Sequence, residues 1–338
     1  MTLIANMCKR MMRQTYQRRV EKEEARRGIE VKQLSGGYIT LLDIGSAGGI
    51  EPRWRCCRSQ IRYIGVEPDS RSSEMLMESP EAKHFAEYRI VPKAVWSKSD
   101  SVTLNFCRKP TVSSHFTPKH EFISRYPLSE RFDVLSSASI SCLTVDEILL
   151  GNSSPCDFIK LDIQGGELAV LQGAESAISQ CLGLEVEVEF LRIYDGQPLF
   201  GDICTFLQAR GIEFIDFINL NRWERTAYRG FGQCVFGDAL FMRTPEWVVS
   251  AFAEGKFNID DVKRYLAVLR IYSRLDLLTA TLRLLSVKGD CLDDDYLRST
   301  EVIVGRLEKY FNRAGFGLRI LNGFARLSNS DARLHLIY

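Results

Sequence analysis

Three segments concentrate residue types that can do chemistry. In the first, the apolar run Leu41-Leu42-Asp43-Ile44 leads straight into Gly45-Ser46-Ala47-Gly48-Gly49-Ile50. Glycines let a backbone turn tightly and approach a ligand closely, and strand ends at a sheet's switch point are where open α/β sheets bind ligands. The competing reading is an ordinary strand-to-helix turn. In the second, Tyr63-Ile64-Gly65-Val66-Glu67-Pro68 places an acid at the end of the next apolar run, 22 residues after Gly45. A carboxylate at that distance can accept hydrogen bonds from ribose hydroxyls. A dinucleotide fingerprint G-x-G-x-x-G begun at Gly45 needs glycine where Ala47 and Ile50 stand, so it fails. Asp43, just before the turn, would repel a pyrophosphate. The pair of segments therefore points to an adenosine-containing cofactor that lacks a pyrophosphate, S-adenosylmethionine (SAM) before a nicotinamide dinucleotide.

The third segment is Asp157-Phe158-Ile159-Lys160-Leu161-Asp162-Ile163-Gln164-Gly165-Gly166-Glu167-Leu168. Asp162 falls at the carboxyl end of a strand near the switch point. Glu167 opens the following helix, where it is either a site residue or a partner of the helix dipole. Further on, Glu185, Glu187 and Glu189 alternate, which puts all three on one face of a strand that the topology buries. Buried carboxylates need partners. Two readings stay open: salt bridges to arginines such as Arg192 or Arg210, or a polar active-site wall. With Asp162 such a wall offers oxygen ligands to a hard divalent cation, but no ligand spacing enforces one and none is expected. His115 and His120 lie in the loop Lys109–Pro127. Imidazole titrates in the range a general base needs; the plainer reading of both is an exposed loop residue. His84 and His335 have no supporting context.

The elements that must position these residues follow from periodicity. Short apolar runs at Tyr38–Ile44, Ile61–Glu67, Ile90–Val95, Val102–Phe106, Phe158–Ile163, Leu184–Phe190, Ile212–Phe217 and 234–243 read as strands. Helical patterns separate them, including Leu168, Leu171, Ala174 and Ile178, and a stretch over about 201–210. Strands alternating with helices predict a parallel, doubly wound α/β sheet with helices on both faces. Residues 1–36 carry nine basic and four acidic residues, with Leu3, Ile4, Met7, Cys8, Met11 and Met12 at helical spacing, so a basic helix ending near Gly36-Gly37 is expected. Such a helix packs on the core or lies on an anionic surface. Residues 246–338 read as helical, with an apolar stripe over 262–285 that suits core packing and a second helix over about 292–314 that starts at Asp293-Asp294-Asp295 and ends at Gly315 and Gly317. The expected organisation is a helical segment over 1–36, a catalytic domain over 37–245 and a helical region over 246–338.

On these motifs the chain resembles the FkbM-type methyltransferases. The resemblance is carried by Asp157 to Ala174, with Leu171-Gln172-Gly173-Ala174, by Glu187-Val188-Glu189-Phe190 up to Tyr194, and by Gly237-Asp238-Ala239-Leu240-Phe241. It spans roughly 40–245. It implies a Rossmann-like class I methyltransferase fold, a mixed, mostly parallel seven-stranded sheet between helices, here with a C-terminal helical extension. It also implies SAM as the cofactor and O-methylation of a small molecule, a sugar or glycan hydroxyl first. By that resemblance Asp43, Gly45 and Gly49 belong to the cofactor loop, Glu67 to the ribose, and Asp162 and Glu167 to the motif facing the active site. Ser46, Gly48, Pro68 and Ala94 are assigned to the same cofactor site. Candidates for the base that takes the hydroxyl proton are Asp162, Glu187, Glu189 and His115. Nitrogen methylation of bases or glutamine commonly goes with Asn/Asp-Pro-Pro-aromatic, and here that position reads Asp162-Ile163-Gln164-Gly165. The alternative is a non-catalytic methyltransferase-like scaffold that binds a partner through its helical tail.

Composition bounds the rest. The chain has 338 residues, 45% of them hydrophobic and 26% charged, with 44 basic against 43 acidic residues. That is a globular composition, and its charge balance announces no nucleic-acid partner. The ten cysteines contain no C-x-x-C, as expected for reduced thiols in a cytoplasmic protein. No apolar stretch approaches the ~20 residues of a membrane helix, so no stable membrane insertion is expected. A homodimer is left open.

Overall fold

The structure is a computed structural model that describes residues 21–150, 155–225, 232–287 and 292–309. Among the described residues ten strands form two sheets: β1 (Ile39–Ile44), β2 (Ile61–Val66), β3 (Glu87–Val91), β4 (Ala94–Val95), β5 (Asp100–Cys107), β6 (Val134–Leu143), β7 (Phe158–Leu161), β8 (Gly183–Glu189), β9 (Glu213–Trp223) and β10 (Gln233–Met242). The main sheet runs β3-β2-β1-β7-β8-β10-β9. Its first five strands are parallel, and β10 is antiparallel to both β8 and β9. The mixed, mostly parallel seven-stranded sheet implied by the resemblance is therefore present. The order reverses at β1, so the ends of β1 and β7 flank the crevice where ligands bind.

The helices are α1 (21–35), α2 (Pro52–Arg55), α3 (Ser70–Met77), α4 (His120–Ile123), α5 (Val145–Leu149), α6 (Glu167–Gln172), α7 (Glu175–Gln180), α8 (Phe200–Gln208), α9 (Pro245–Ala253), α10 (Ile259–Ile271), α11 (Leu275–Val287) and α12 (294–309). Strand alternation sorts the core. Ile39, Leu41 and Phe158 face one cluster with Val31 and Leu34 of α1, Trp54 of α2, and residues of α9 to α11. Leu42, Ile44, Ile159, Leu161, Leu184, Val186 and Val188 face the other cluster, under α5 to α8. The apolar stripe of 262–285 thus lies against the sheet: Val262, Tyr265, Leu266, Leu269 and Leu278 are all buried. The helices on both flanks of the 37–245 segment share one core with its sheet. The apolar positions before residue 21, the C-terminal glycines and His335 lie outside the described residues.

Two readings of strands need correction. The run Ile90–Val95 is two strands in two sheets, because Pro92 interrupts it and cannot donate to a ladder. The second sheet, β4-β6-β5, contains a strand that periodicity did not reveal. Most of β6, Val134-Leu135-Ser136-Ser137-Ala138-Ser139, is exposed, so it carries no apolar alternation to read. This small sheet stands over the crevice and supplies Val102, Leu104, Phe106 and Ile140 to its wall. Among the described residues every cysteine is a free thiol.

One buried ion pair ties the helical flank to the site-bearing strands. Asp157, just before β7, accepts from the Thr40 backbone N–H at 2.7 Å and from Arg264 Nε of α10 at 2.8 Å. Burial pushes its carboxyl up to about 6 despite Arg264. Removing one partner of a buried pair leaves an uncompensated charge, at a cost of about 3–5 kcal/mol. Arg264→Ala is therefore expected to lower stability by about that much at pH 8 in urea denaturation. The loss should shrink at pH 5, where Asp157 takes up a proton in both proteins and the pair is already weakened. An equal loss at both pH values would show that the charge pair is not the cause.

Candidate active site

The site begins with a close approach between two strand ends. Gly45 follows β1 with φ +82°, and a Cβ there would sit 1.8 Å from the carbonyl oxygen of Asp162. Only glycine fits, because any side chain would drive β1 and β7 apart. The approach is held on both sides: Asp162 N–H donates to Ile44 O at 3.0 Å, and Gly45 N–H donates to Val66 O at 3.0 Å. The turn then closes through Gly49 N–H to Ser46 O at 2.7 Å.

A crevice of about 490 Å³ opens at this point. One arm is lined by Gly45, Ala47, Gly48, Glu67, Pro68 and Asp69, continuing to Ala94 and Trp96. Five residues assigned to the cofactor from sequence, Gly45, Gly48, Glu67, Pro68 and Ala94, therefore lie together on this wall. Glu67 is only 6% exposed and accepts from Asp69 N–H at 2.8 Å, and burial raises its pKa. Asp43, Ser46 and Gly49 are placed differently. Asp43 is buried beneath the turn, accepts from Tyr63 Oη at 2.8 Å and faces Lys160 Nζ at 3.7 Å. Ser46 is buried too, and Gly49 shapes the turn through its φ of +70°. These three hold the loop from behind; none lines the crevice.

The floor is built by β7, β8 and the turn between β7 and α6. Gln164 sits in the left-handed region at φ +63°, uncommon for a residue with a side chain and a mark of functional sites. The conformation aims its amide inward. Gln164 Nε2 donates to Glu187 Oε2 at 2.7 Å and lies 3.3 Å from Asp162 Oδ1. Its backbone carbonyl accepts from Ser114 Oγ at 2.7 Å, and its Oε1 is 3.4 Å from the buried Tyr194 hydroxyl. Lys160 Nζ bridges Asp162 at 3.5 Å and Asp43. Burial alone would lower the Lys160 pKa, but the two carboxylates raise it above the usual lysine range.

Burial raises the pKa of four acids around this floor, Glu167, Glu187, Glu189 and Asp238. Glu187 and Glu189 are buried, and desolvation together with the neighbouring Asp162 and Glu167 lifts both far above the carboxylate range. Glu167 accepts from Ile163 N–H at 2.8 Å and is pushed up to about 7, chiefly by burial. Asp238 on β10 is likewise raised to about 7 by burial and by Glu185 and Asp162. The raised pKa values favour the protonated forms of these carboxyls, in which they donate as well as accept hydrogen bonds. Glu185 belongs to a different environment: it pairs with Arg53 of α2 at 3.3 Å and accepts from Tyr272 Oη at 2.6 Å. Of the two readings left open for these acids, bridges to Arg192 or Arg210 are not found among the described residues; Arg210 pairs with Glu175 at the surface. Among the described residues no group of three His, Cys, Asp or Glu side chains is arranged to hold a metal ion.

His115 completes the wall above this floor. Its ring packs on Trp96, with centroids 4.3 Å apart, and its Nδ1 lies 3.0 Å from Thr103 O. A carbonyl only accepts, so Nδ1 is the donor in this contact and Nε2 is the nitrogen left for a ligand. Asp162, Glu187, Glu189 and His115 all line the one crevice. His120 starts α4 outside the lining. Sequence reasoning missed Gln164, Lys160 and Trp96, although the first two stand inside the quoted motif. It also missed Arg131, Phe132, Trp223 and Phe236, which line the far arm of the crevice and form no local pattern.

Comparison with known proteins follows this geometry. None of the curated proteins matches the sequence. Among solved structures, magnesium protoporphyrin IX methyltransferase from Synechocystis PCC 6803 with bound SAM is similar at 9% identity and a TM-score of 0.36, over 69% of this chain and 82% of that one. A TehB-like SAM-dependent methyltransferase from Corynebacterium glutamicum is similar at 13% identity and a TM-score of 0.29, over 64% and 87%. TrmK of M. capricolum, in complex with S-adenosyl-homocysteine, is similar at 8% identity and a TM-score of 0.32, over 83% and 96%. Residues 52–214 match the family model of the methyltransferase FkbM domain. The matched segment runs from α2 to the start of β9, and over it the chain is similar to the FkbM methyltransferase domain family.

Proposed function

We propose that this protein binds SAM in the arm of the crevice lined by Gly45, Gly48, Glu67 and Ala94, and methylates a hydroxyl of a small-molecule acceptor, a sugar or glycan first. The observation that carries this reading is the Gln164 amide, which draws Asp162 and Glu187 together where the cofactor arm meets the rest of the crevice. The residues present fit the cofactor. Glu67 would accept from the ribose hydroxyls, and the Glu67 and Asp69 carboxyls on the arm disfavour a pyrophosphate there. The short α2, with Pro52 at its start, offers no extended helix N-terminus to a phosphate either. Bound there, SAM supplies an electrophilic methyl group.

The chain's own residues then have two tasks, to orient an acceptor oxygen and to take its proton. Asp162 is half-exposed, lies beside Lys160 and faces the crevice, so it is the proton acceptor. Burial and the neighbouring acids favour the protonated forms of Glu187 and Glu189, in which they would donate hydrogen bonds to the acceptor's hydroxyls. The Gln164 amide keeps Asp162 and Glu187 at one spacing. His115 Nε2 forms a second acceptor on the opposite wall. A row of carboxyls able to donate and accept suits a polyhydroxylated ligand.

Titration calorimetry with S-adenosylhomocysteine, with NAD as the control, tests the cofactor. Micromolar binding of the former alone is expected, weakened about tenfold or more by Glu67→Ala, which loses charge-assisted hydrogen bonds. No binding by a folded protein would overturn the reading and bring the non-catalytic scaffold forward. Transfer of labelled methyl from SAM to a panel of sugars and hydroxylated small molecules tests the chemistry. Asp162→Asn should reduce turnover about a hundredfold or more while leaving S-adenosylhomocysteine affinity nearly unchanged. Full turnover by that variant would remove Asp162 from its role.

A further inference from the structure

We infer that the acceptor carries an anionic oxygen group, a carboxylate or a phosphate, and that Arg131 clamps it at the far end of the crevice from the cofactor arm. The inference rests on the methyl-transfer reading and adds to it a substrate class. Arg131 belongs to a 3-10 turn over Ser129–Phe132 and lines the crevice with Phe132, Trp223 and Phe236. Its guanidinium lies 4.8 Å from the Trp223 ring centroid and 5.0 Å from that of Phe132. Among the described residues it forms no ion pair, and its Nε is buried without a hydrogen-bond partner. Of the other arginines close to the core, Arg264 has Asp157, Arg270 has Glu30 and Arg53 has Glu185, while Arg243 is met by the backbone carbonyls of Ile178 and Cys181. Burial lowers the Arg131 pKa and outweighs the neighbouring Glu130 carboxylate. A guanidinium that lies over two aromatic rings and keeps an unmet Nε donor can bind a planar or tetrahedral oxyanion through two parallel hydrogen bonds.

The placement of Arg131 agrees with this role. From the Gln164 amide, the Tyr194 hydroxyl is 3.4 Å away, the Tyr194 ring is 6.1 Å from Phe132, and Phe132 carries the Arg131 guanidinium. A chain of contacts thus leads from the acid wall that receives the hydroxyl to the cation that receives the anion, and both line one cavity. Lys109 adds a second positive charge at the rim, and its backbone N–H donates to Arg131 O at 3.0 Å. An acceptor with its hydroxyl at Asp162 and its anionic group at Arg131 is read at both ends, while Trp223 and Phe236 cover the body between them.

The test uses the full chain loaded with S-adenosylhomocysteine, so that the cofactor arm is closed to the probes. Phenyl phosphate, benzoate and neutral benzyl alcohol are titrated separately by ligand-observed NMR. At least one of the two anions should bind tighter than benzyl alcohol by about tenfold or more, as a charge-assisted hydrogen bond implies, and the better anion identifies the group. Arg131→Gln should remove that preference with cofactor affinity unchanged, and Arg131→Lys should keep part of it. Equal binding of anions and alcohol by the natural protein would overturn the proposal, and needs no variant to fold. So would an anion preference that survives in Arg131→Gln. Failure of the natural protein to take up S-adenosylhomocysteine would instead count against the methyl-transfer reading.

Discussion

Everything at the site depends on the meeting of two strand ends at Gly45. Without a Cβ, Gly45 lets the first turn lie against the Asp162 carbonyl. The turn that carries the crevice's glycines and the strand that carries its acids therefore become neighbours. The hydrogen bonds from Asp162 to Ile44 and from Gly45 to Val66 then lock β1, β2 and β7 at one height. The rest of the architecture supports that contact. Asp43, Lys160 and Tyr63 fill the space beneath it with a buried polar chain, and Asp157 with Arg264 anchors the far end of the same strand.

A second constraint comes from β8. Its apolar residues face α5 to α8, so Glu185, Glu187 and Glu189 all point to the other face. One of them is neutralised by Arg53 and Tyr272 at the junction with the helical flank. The other two have no cation and stay high in pKa. The same alternation thus separates a structural acid from two site acids within five residues. Such unpaired acids disfavour the folded state as the pH rises, and a strained Gln164 stands next to them. That is the pattern of a site that gives up stability for preorganisation.

Much of this was legible in the sequence. The strand-turn unit at Gly45, the acid at Glu67 and the Asp162 motif each sit at a strand end, where periodicity and residue type agree. The C-terminal stripe over 262–285 announced its burial in the same way. Other features could not be read. Asp43 looked like a loop ligand, but its place beneath the turn is decided by Tyr63 and Lys160, which only the sheet brings near. The partner of Glu185 was unpredictable because Arg53 lies in a different layer. β6 escaped because a mostly exposed strand rich in serine has no alternation to detect. Arg131 and its aromatic neighbours escaped because they converge from segments nearly a hundred residues apart, with no spacing to mark them.

The central claim is that one crevice holds the cofactor at its glycine-turn end and delivers it to the Asp162–Gln164–Glu187 floor. A crystal structure of the protein with S-adenosylhomocysteine tests this most directly. The account predicts the ribose hydroxyls on the Glu67 carboxylate and the sulfur facing Asp162 and Gln164, with His115 and Arg131 beyond it on the open side. A ligand bound elsewhere, or bound in the crevice with its sulfur turned away from Asp162, would contradict it.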